Sequence, residues 1–82
     1  MSKADIEEIL MPDLEGAEEI TVGAWSKKTG DHVTEGETLM EALTDKVNAE
    51  IPSPVSGRVK ELLLNEGDPV RPGQPIARID RD

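Results

Sequence analysis

The chain has 82 residues, 18 acidic against 9 basic side chains for a net charge of -9, no cysteine, and one aromatic residue, Trp25. That length supports one domain, the missing cysteine excludes disulfides and thiolate metal sites and favours a reducing compartment, and the acidic surface would repel nucleic acid and anionic membranes. No apolar run approaches the roughly 20 residues that span a bilayer, and "MSKADIEE" has no apolar signal core.

In chain order, glycine and proline separate short runs of β-formers: "IEEILM" (6–11), "EITVGAW" (19–25), "TLMEALT" (38–44), "VNAEI" (47–51), "GRVKELLL" (57–64) and "PIARI" (75–79). Each is strand length, and most alternate apolar with polar residues. "VKELLLN" comes closest to a helical period but is short and bounded by turn residues. The spacing predicts an all-β sandwich or flattened barrel. Trp25 is expected as core or half-buried packing.

An internal repeat organises the strands. "VGAWSKKTGDHVTEGETLME" from Val22 matches "VKELLLNEGDPVRPGQPIAR" from Val59 at a constant offset of 37. Each half carries Gly-Asp-x-Val-x-x-Gly: Gly30, Asp31, Val33 and Gly36 correspond to Gly67, Asp68, Val70 and Gly73. This run predicts a tight turn, a very short strand and a second turn, with glycines at positive φ and an inward valine. Neither half can bury its apolar face alone, so the two are expected to share one core about a pseudo-twofold axis. Lys46 has no partner in the repeat. Its symmetry mate is the place where the chain begins and ends, which puts Lys46 at one pole and the termini at the other.

Around Lys46, a turn centred on Asp45 and Lys46 opposes Thr44 to Val47, Ala42 to Ala49 and Met40 to Ile51 on one apolar face. The other face opposes Leu43 to Asn48 and Glu41 to Glu50, the second a like-charge pair. In this register Lys46 sits exposed at a tip held by strands on both sides, and Leu43 is an exposed apolar residue beside it. Composition alone reads Lys46 as an ordinary solvated turn lysine. A rigid tip, however, is what a modifying enzyme needs to select one amine, and an amide there would remove the charge and extend a long arm. Catalysis by the polypeptide itself finds little support. His32 is the one histidine, its neighbour Asp31 points elsewhere on a strand, and the many carboxylates read as a solvated surface. No catalytic or metal-ligating set is assigned.

These residues resemble a known family. "EALTDKVNAEIPSPVSGRV" is similar to the lipoyl-lysine hairpin of 2-oxo acid dehydrogenase complexes. "ILMPDLEG" resembles that family's first strand and loop, "VGAWSKKTGDHVTEGETL" its second strand and turn, and "LLLNEGDPVRPGQPIARID" its last strands, so nearly the whole chain is covered. Thr44, Asp45, Lys46 and Val47 fit the family motif, whereas Leu43 stands where an acidic residue is usual. The resemblance implies a flattened β-barrel of two four-stranded antiparallel sheets, forming a single lipoyl domain over residues 1–82, with 80–82 as the expected start of a linker. It implies lipoic acid in amide linkage on Lys46 of a non-catalytic carrier domain of a dihydrolipoamide acyltransferase. The implied partners are a thiamine-dependent 2-oxo acid dehydrogenase, the acyltransferase core, dihydrolipoyl dehydrogenase, and a lipoate ligase or lipoyl transferase. A protein without cysteine can do thiol chemistry only with a cofactor's sulfur. Thr44, Asp45 and Val47 would set the turn and help the ligase find the lysine. Asp13, Leu14, Glu15 and Gly16, near the lysine pole, together with Leu43, would help partners recognise the domain. The implied setting is bacterial cytoplasm, or the mitochondrial matrix in a eukaryote, with a monomeric domain. The alternatives are a biotin carboxyl carrier, whose lysine is flanked by methionines where Asp45 and Val47 stand here, and an unmodified lipoyl-like adaptor, which usually lacks a tip lysine. A glycine-cleavage carrier would be longer.

Overall fold

The computed structural model describes residues 5–14, 19–46 and 48–82, and the regular structure among them is all strand. Eight strands follow in order: β1 (Ile6–Leu10), β2 (Ile20–Trp25), β3 (His32–Val33), β4 (Thr38–Thr44), β5 (Ala49–Pro52), β6 (Gly57–Leu62), β7 (Pro69–Val70) and β8 (Pro75–Arg81). They form two four-stranded sheets, ordered β1-β8-β6-β3 and β5-β4-β2-β7, with every pair antiparallel. Inward residues of both sheets merge into one buried cluster, from Ile9, Val33, Val59 and Ile79 of the first to Val22, Leu39, Met40 and Ile51 of the second. This is the expected flattened barrel.

The offset of 37 is written into the pairing itself. Val22 lies opposite Ala42 and Ala24 opposite Glu41; likewise Val59 lies opposite Ile79 and Glu61 opposite Arg78. Each ladder therefore bulges at the same place, at Gly23 and at Lys60. The hydrogen bonds between turns obey the same rule. The Gly30 N–H donates to the Val59 carbonyl at 2.8 Å and the Gly67 N–H to the Val22 carbonyl at 2.8 Å. Because these bonds exchange the two halves, the operation is a twofold. It carries Thr44, the last residue of β4, onto Arg81, the last of β8. The hairpin tip and the chain ends consequently lie on opposite sides of the axis.

The two short strands arise as the repeat predicts. Gly30, Gly36, Gly67 and Gly73 all have φ between 83° and 96°, the left-handed region that costs an L side chain about 1–2 kcal/mol. Val33 and Val70 between them are buried. Trp25 is half-buried against the core, and its Nε1–H donates to the Leu64 carbonyl at 2.9 Å.

Strand ends differ from the sequence expectation. β1 stops at Leu10, although Met11 is buried and donates its N–H to the Gln74 carbonyl. β6 stops at Leu62. β8 runs on to Arg81, so residues 80 and 81, where a linker was expected to begin, lie in a strand. Alternation ends at Ile79, but β8 is flanked by β1 and β6, and Asp80 has partners on both sides, Ile6 and Arg58. The backbone ladders hold the strand regardless of side-chain polarity.

Candidate functional site

The lysine turn is built on a strand that is paired along both edges. On one side Met40 faces Ile51, Glu41 faces Glu50 and Ala42 faces Ala49, the register read from the sequence. On the other side Ile20 faces Thr44 and Thr21 faces Leu43. Met40, Ala42 and Ile51 are buried, so the base of the hairpin is fixed in the core. The like-charge pair is eased on one side, because Glu50 accepts a hydrogen bond from the Thr38 hydroxyl at 3.3 Å.

Beyond Thr44 the chain bends at Asp45 and Lys46. The Lys46 N–H donates to Thr44 Oγ1 at 3.1 Å, the local side-chain-to-backbone bond that threonine makes in turns. Thr44 thus fixes the backbone of the residue that carries the amine. The Lys46 side chain is 58% exposed, and its Nζ lies 3.8 Å from Asp45 Oδ2. An exposed pair at that separation contributes little and leaves the amine accessible. A primary amine on a braced backbone, with open solvent around it, fits a group attached through an amide.

Of the other residues singled out in the sequence, Leu43 is 38% exposed on the outer side of β4, as expected. Asp13 is exposed, and Leu14 is half-buried against the core. Glu15, Gly16 and Val47 lie outside the described residues. The bonds that tie Ser53 to Gly36 and Glu37 recur between Met11 and Gly73 and Gln74, so Met11 and Ser53 are equivalent. Nine steps then separate Met11 from Ile20, against four from Ser53 to Gly57. Ser56 lies at the terminal side, where its carbonyl accepts the Asp82 N–H. By the twofold, Asp13 and Leu14, which follow Met11, belong to the lysine side.

Three features escaped the sequence reading. His32, exposed on the edge strand β3, meets Asp82 at 2.9 Å, a contact between residues 50 positions apart that no local pattern announces. Gly23 has ordinary backbone angles, yet a Cβ there would come within 2.9 Å of Leu43 Cγ and 3.0 Å of the Glu41 carbonyl oxygen. The bulge glycine therefore makes room for Leu43 to lie on the sheet. Glu37 is held below the usual carboxylate range by the bond from Lys27 and by the Thr34 N–H.

The family model described as "Biotin-requiring enzyme", for biotin and lipoyl attachment, matches residues 7–79. The chain is 53% identical over 66 residues to the dihydrolipoyllysine-residue acetyltransferase component of the pyruvate dehydrogenase complex of Acholeplasma laidlawii, covering 80% of this chain and 12% of that protein. It is 48% identical over 73 residues to the succinyltransferase component of the 2-oxoglutarate dehydrogenase complex of Staphylococcus saprophyticus, covering 88% of this chain and 17% of that one. The chain thus spans less than a fifth of these relatives. Among solved structures, the lipoyl domain of the 2-oxoglutarate dehydrogenase complex from Azotobacter vinelandii superposes with a TM-score of 0.67 at 31% identity, over 87% of this chain and 94% of that domain. The chain belongs to the biotinyl/lipoyl-attachment family, as a lipoyl domain of the dihydrolipoamide acyltransferase type.

Proposed function

We propose that Lys46 carries lipoic acid in amide linkage and that the domain is the swinging-arm carrier of a 2-oxo acid dehydrogenase complex. The observation that carries this reading is the lysine itself: 58% exposed on a turn whose preceding strand is paired on both edges. Lipoate supplies a dithiolane that takes up acyl groups and electrons, chemistry that a chain without cysteine cannot supply. The polypeptide contributes the rest. Thr44 anchors the backbone of Lys46, and Asp45 sets the bend that a lipoate ligase or lipoyl transferase reads, with Val47 following. The paired strands fix where the arm begins, so its reach defines a volume of high effective concentration. Asp13, Leu14 and the Glu15–Gly16 stretch give the lysine side an identity that partner enzymes recognise. The partners are a thiamine-dependent 2-oxo acid dehydrogenase that loads the arm, an acyltransferase core that unloads it and dihydrolipoyl dehydrogenase that reoxidises it. The relatives' catalytic names describe much longer chains, and this domain acts as carrier rather than catalyst. Bacterial relatives and the lack of cysteine support a setting in bacterial cytoplasm.

The test is intact mass after incubation with a lipoate ligase, lipoate and ATP. One lipoyl group should be added to the native chain and none to Lys46→Ala. Addition of biotin by a biotin ligase in its place, or lipoylation that persists in Lys46→Ala, overturns the assignment.

A further inference from the structure

The repeat supplies an internal control for the surface around Lys46, because the strand positions on the lysine side have counterparts 37 residues on. Most counterparts serve the same structural purpose. Gly23 and Leu43 do not: their mates are Lys60 and Asp80. Where one outer face carries a cation and an anion, the other carries a glycine with a leucine laid over it. The leucine can lie there because position 23 has no Cβ, which would come within 2.9 Å of its Cγ. Leu43 is 38% exposed on β4, three residues before Lys46, while the other large exposed apolar residues among those described, Ile6 and Leu10, sit on β1 of the opposite sheet.

Charge separates the two sheets as well. The strands β1, β6 and β8 contain Arg58, Lys60, Arg78 and Arg81 against Glu7, Glu8, Glu61 and Asp80. Arg78 and Arg81 are ion-paired there with Glu8, Glu61 and Glu7. The strands β2, β4, β5 and β7 contain no lysine or arginine; Arg71 follows β7 at the far edge of that sheet, beside Glu19 and Thr21, while Glu41 and Glu50 face each other across the β4–β5 ladder at the other edge. The Thr38 hydroxyl eases Glu50 on one side, and an approaching cationic surface would relieve the repulsion that is left.

We infer that Leu43, seated on Gly23 and bordered by Glu41 and Glu50, is the contact through which the dehydrogenase that loads the Lys46 arm docks on this domain. The complementary surface is a small apolar pocket rimmed by basic side chains. This rests on the carrier reading of Lys46 above and adds the surface by which one of its partners is chosen. Leu43 is a docking residue.

Lipoylation, read by mass, and reductive acylation, read as kcat/KM with pyruvate or 2-oxoglutarate dehydrogenase components, are measured on the same variants. All of Leu43→Ala, Leu43→Glu, Gly23→Ala and the control Leu10→Glu should accept lipoate. Loss of one well-placed interface side chain costs above 1 kcal/mol, so kcat/KM should fall roughly fivefold or more in Leu43→Ala. It should fall further in Leu43→Glu, and fall in Gly23→Ala, which keeps the leucine but moves it. Leu10→Glu should be loaded like the native domain. Added salt should slow loading of the native domain, and Glu41→Gln should flatten that dependence. Leu43 variants loaded at the native rate overturn the inference. So does equal slowing in Leu10→Glu, or a folded Leu43 variant that no longer accepts lipoate, or a lipoylated native domain that neither dehydrogenase loads. A native chain that takes up no lipoate at all marks failure of the carrier reading instead.

Discussion

Replacing Gly57 by alanine separates two reasons for a glycine. Positive φ occurs at Gly30, Gly36, Gly67 and Gly73 and not at Gly57, so its backbone would accept any residue. On conformational grounds alone, alanine there should stabilise by about 0.4–1 kcal/mol through the unfolded chain. The surroundings reverse the sign. A Cβ at position 57 would overlap the Asp80 carbonyl oxygen and lie 2.8 Å from Arg81 Cα and 2.9 Å from the Asp80 carbonyl carbon. All three are backbone atoms of β8, which is hydrogen-bonded between β1 and β6 and cannot rotate aside as a side chain can. Forcing such an overlap costs about 1–3 kcal/mol. Total stability for a chain of this length is about 4–12 kcal/mol. At about 4–8 °C per kcal/mol for a small domain, Tm should fall by roughly 5–25 °C. Gly30 is the contrast: φ is 96° and nothing lies within 4 Å of a Cβ, so alanine costs about 1–2 kcal/mol from backbone strain alone. Asparagine, which tolerates that region, should recover part of the loss at position 30 and none at position 57. Thermal and urea unfolding followed by the fluorescence of Trp25 reads both. A Gly57→Ala domain as stable as the native one, or one improved by asparagine at 57, would refute the reasoning.

The remaining predictions use the repeat as a ruler. Leu39→Ala and Ile76→Ala remove fully buried side chains from equivalent places on the central strands β4 and β8, and each should cost about 2–5 kcal/mol in urea unfolding; a large inequality would show that the halves do not share the core evenly. Trp25→Phe deletes the bond to the Leu64 carbonyl and should cost about 0.5–1.5 kcal/mol beyond the change in packing, measured by calorimetry. Glu37, whose carboxyl is held low by Lys27 and then by Thr34, contributes stability above its unfolded pKa near 4.5 that is lost as pH falls through the lower folded value. Its pKa by NMR should rise in Lys27→Met. Glu37→Gln should keep the turn, because Gln74 already accepts the Arg71 N–H in the equivalent place at 3.0 Å.

What the sequence made legible is whatever repeats or alternates. The offset of 37 announced the short strands at Val33 and Val70, the four positive-φ glycines and the exchange of halves. The hairpin register followed from demanding that Met40, Ala42 and Ile51 share a face, and it placed Leu43 outside. Contacts that join distant residues without a period stayed hidden. The bond of Glu50 to Thr38 reaches across the β4–β5 ladder, and His32 meets Asp82 only because β3 and the end of β8 both flank β6. Gly23 and Gly57 are invisible for a related reason. Glycine in a run of β-formers suggests a weak strand or a bulge, and nothing local says that Leu43 or the β8 backbone fills the missing volume.

The twofold also explains why the two poles need different means to stay closed. At the lysine pole β4 and β5 are joined by a turn of a few residues, so their ends are held together covalently, and the Thr44 hydroxyl helps set the bend. At the other pole the equivalent strands are β8 and β1, whose paired residues lie some 70 positions apart in sequence. Their ends meet with no local link and would fray. There Arg81 pairs with Asp5 at 3.5 Å and Glu7 at 3.3 Å, and Arg78 with Glu8 at 3.6 Å. Each such surface pair contributes at most about 1 kcal/mol, but together they close a seam that the turn closes on the opposite side. Arg78 and Arg81, two of the chain's nine cations, thus lace the seam that has no local link. The lysine pole, closed by its own backbone, presents one amine beside Leu43 and the carboxylates of Glu41 and Glu50.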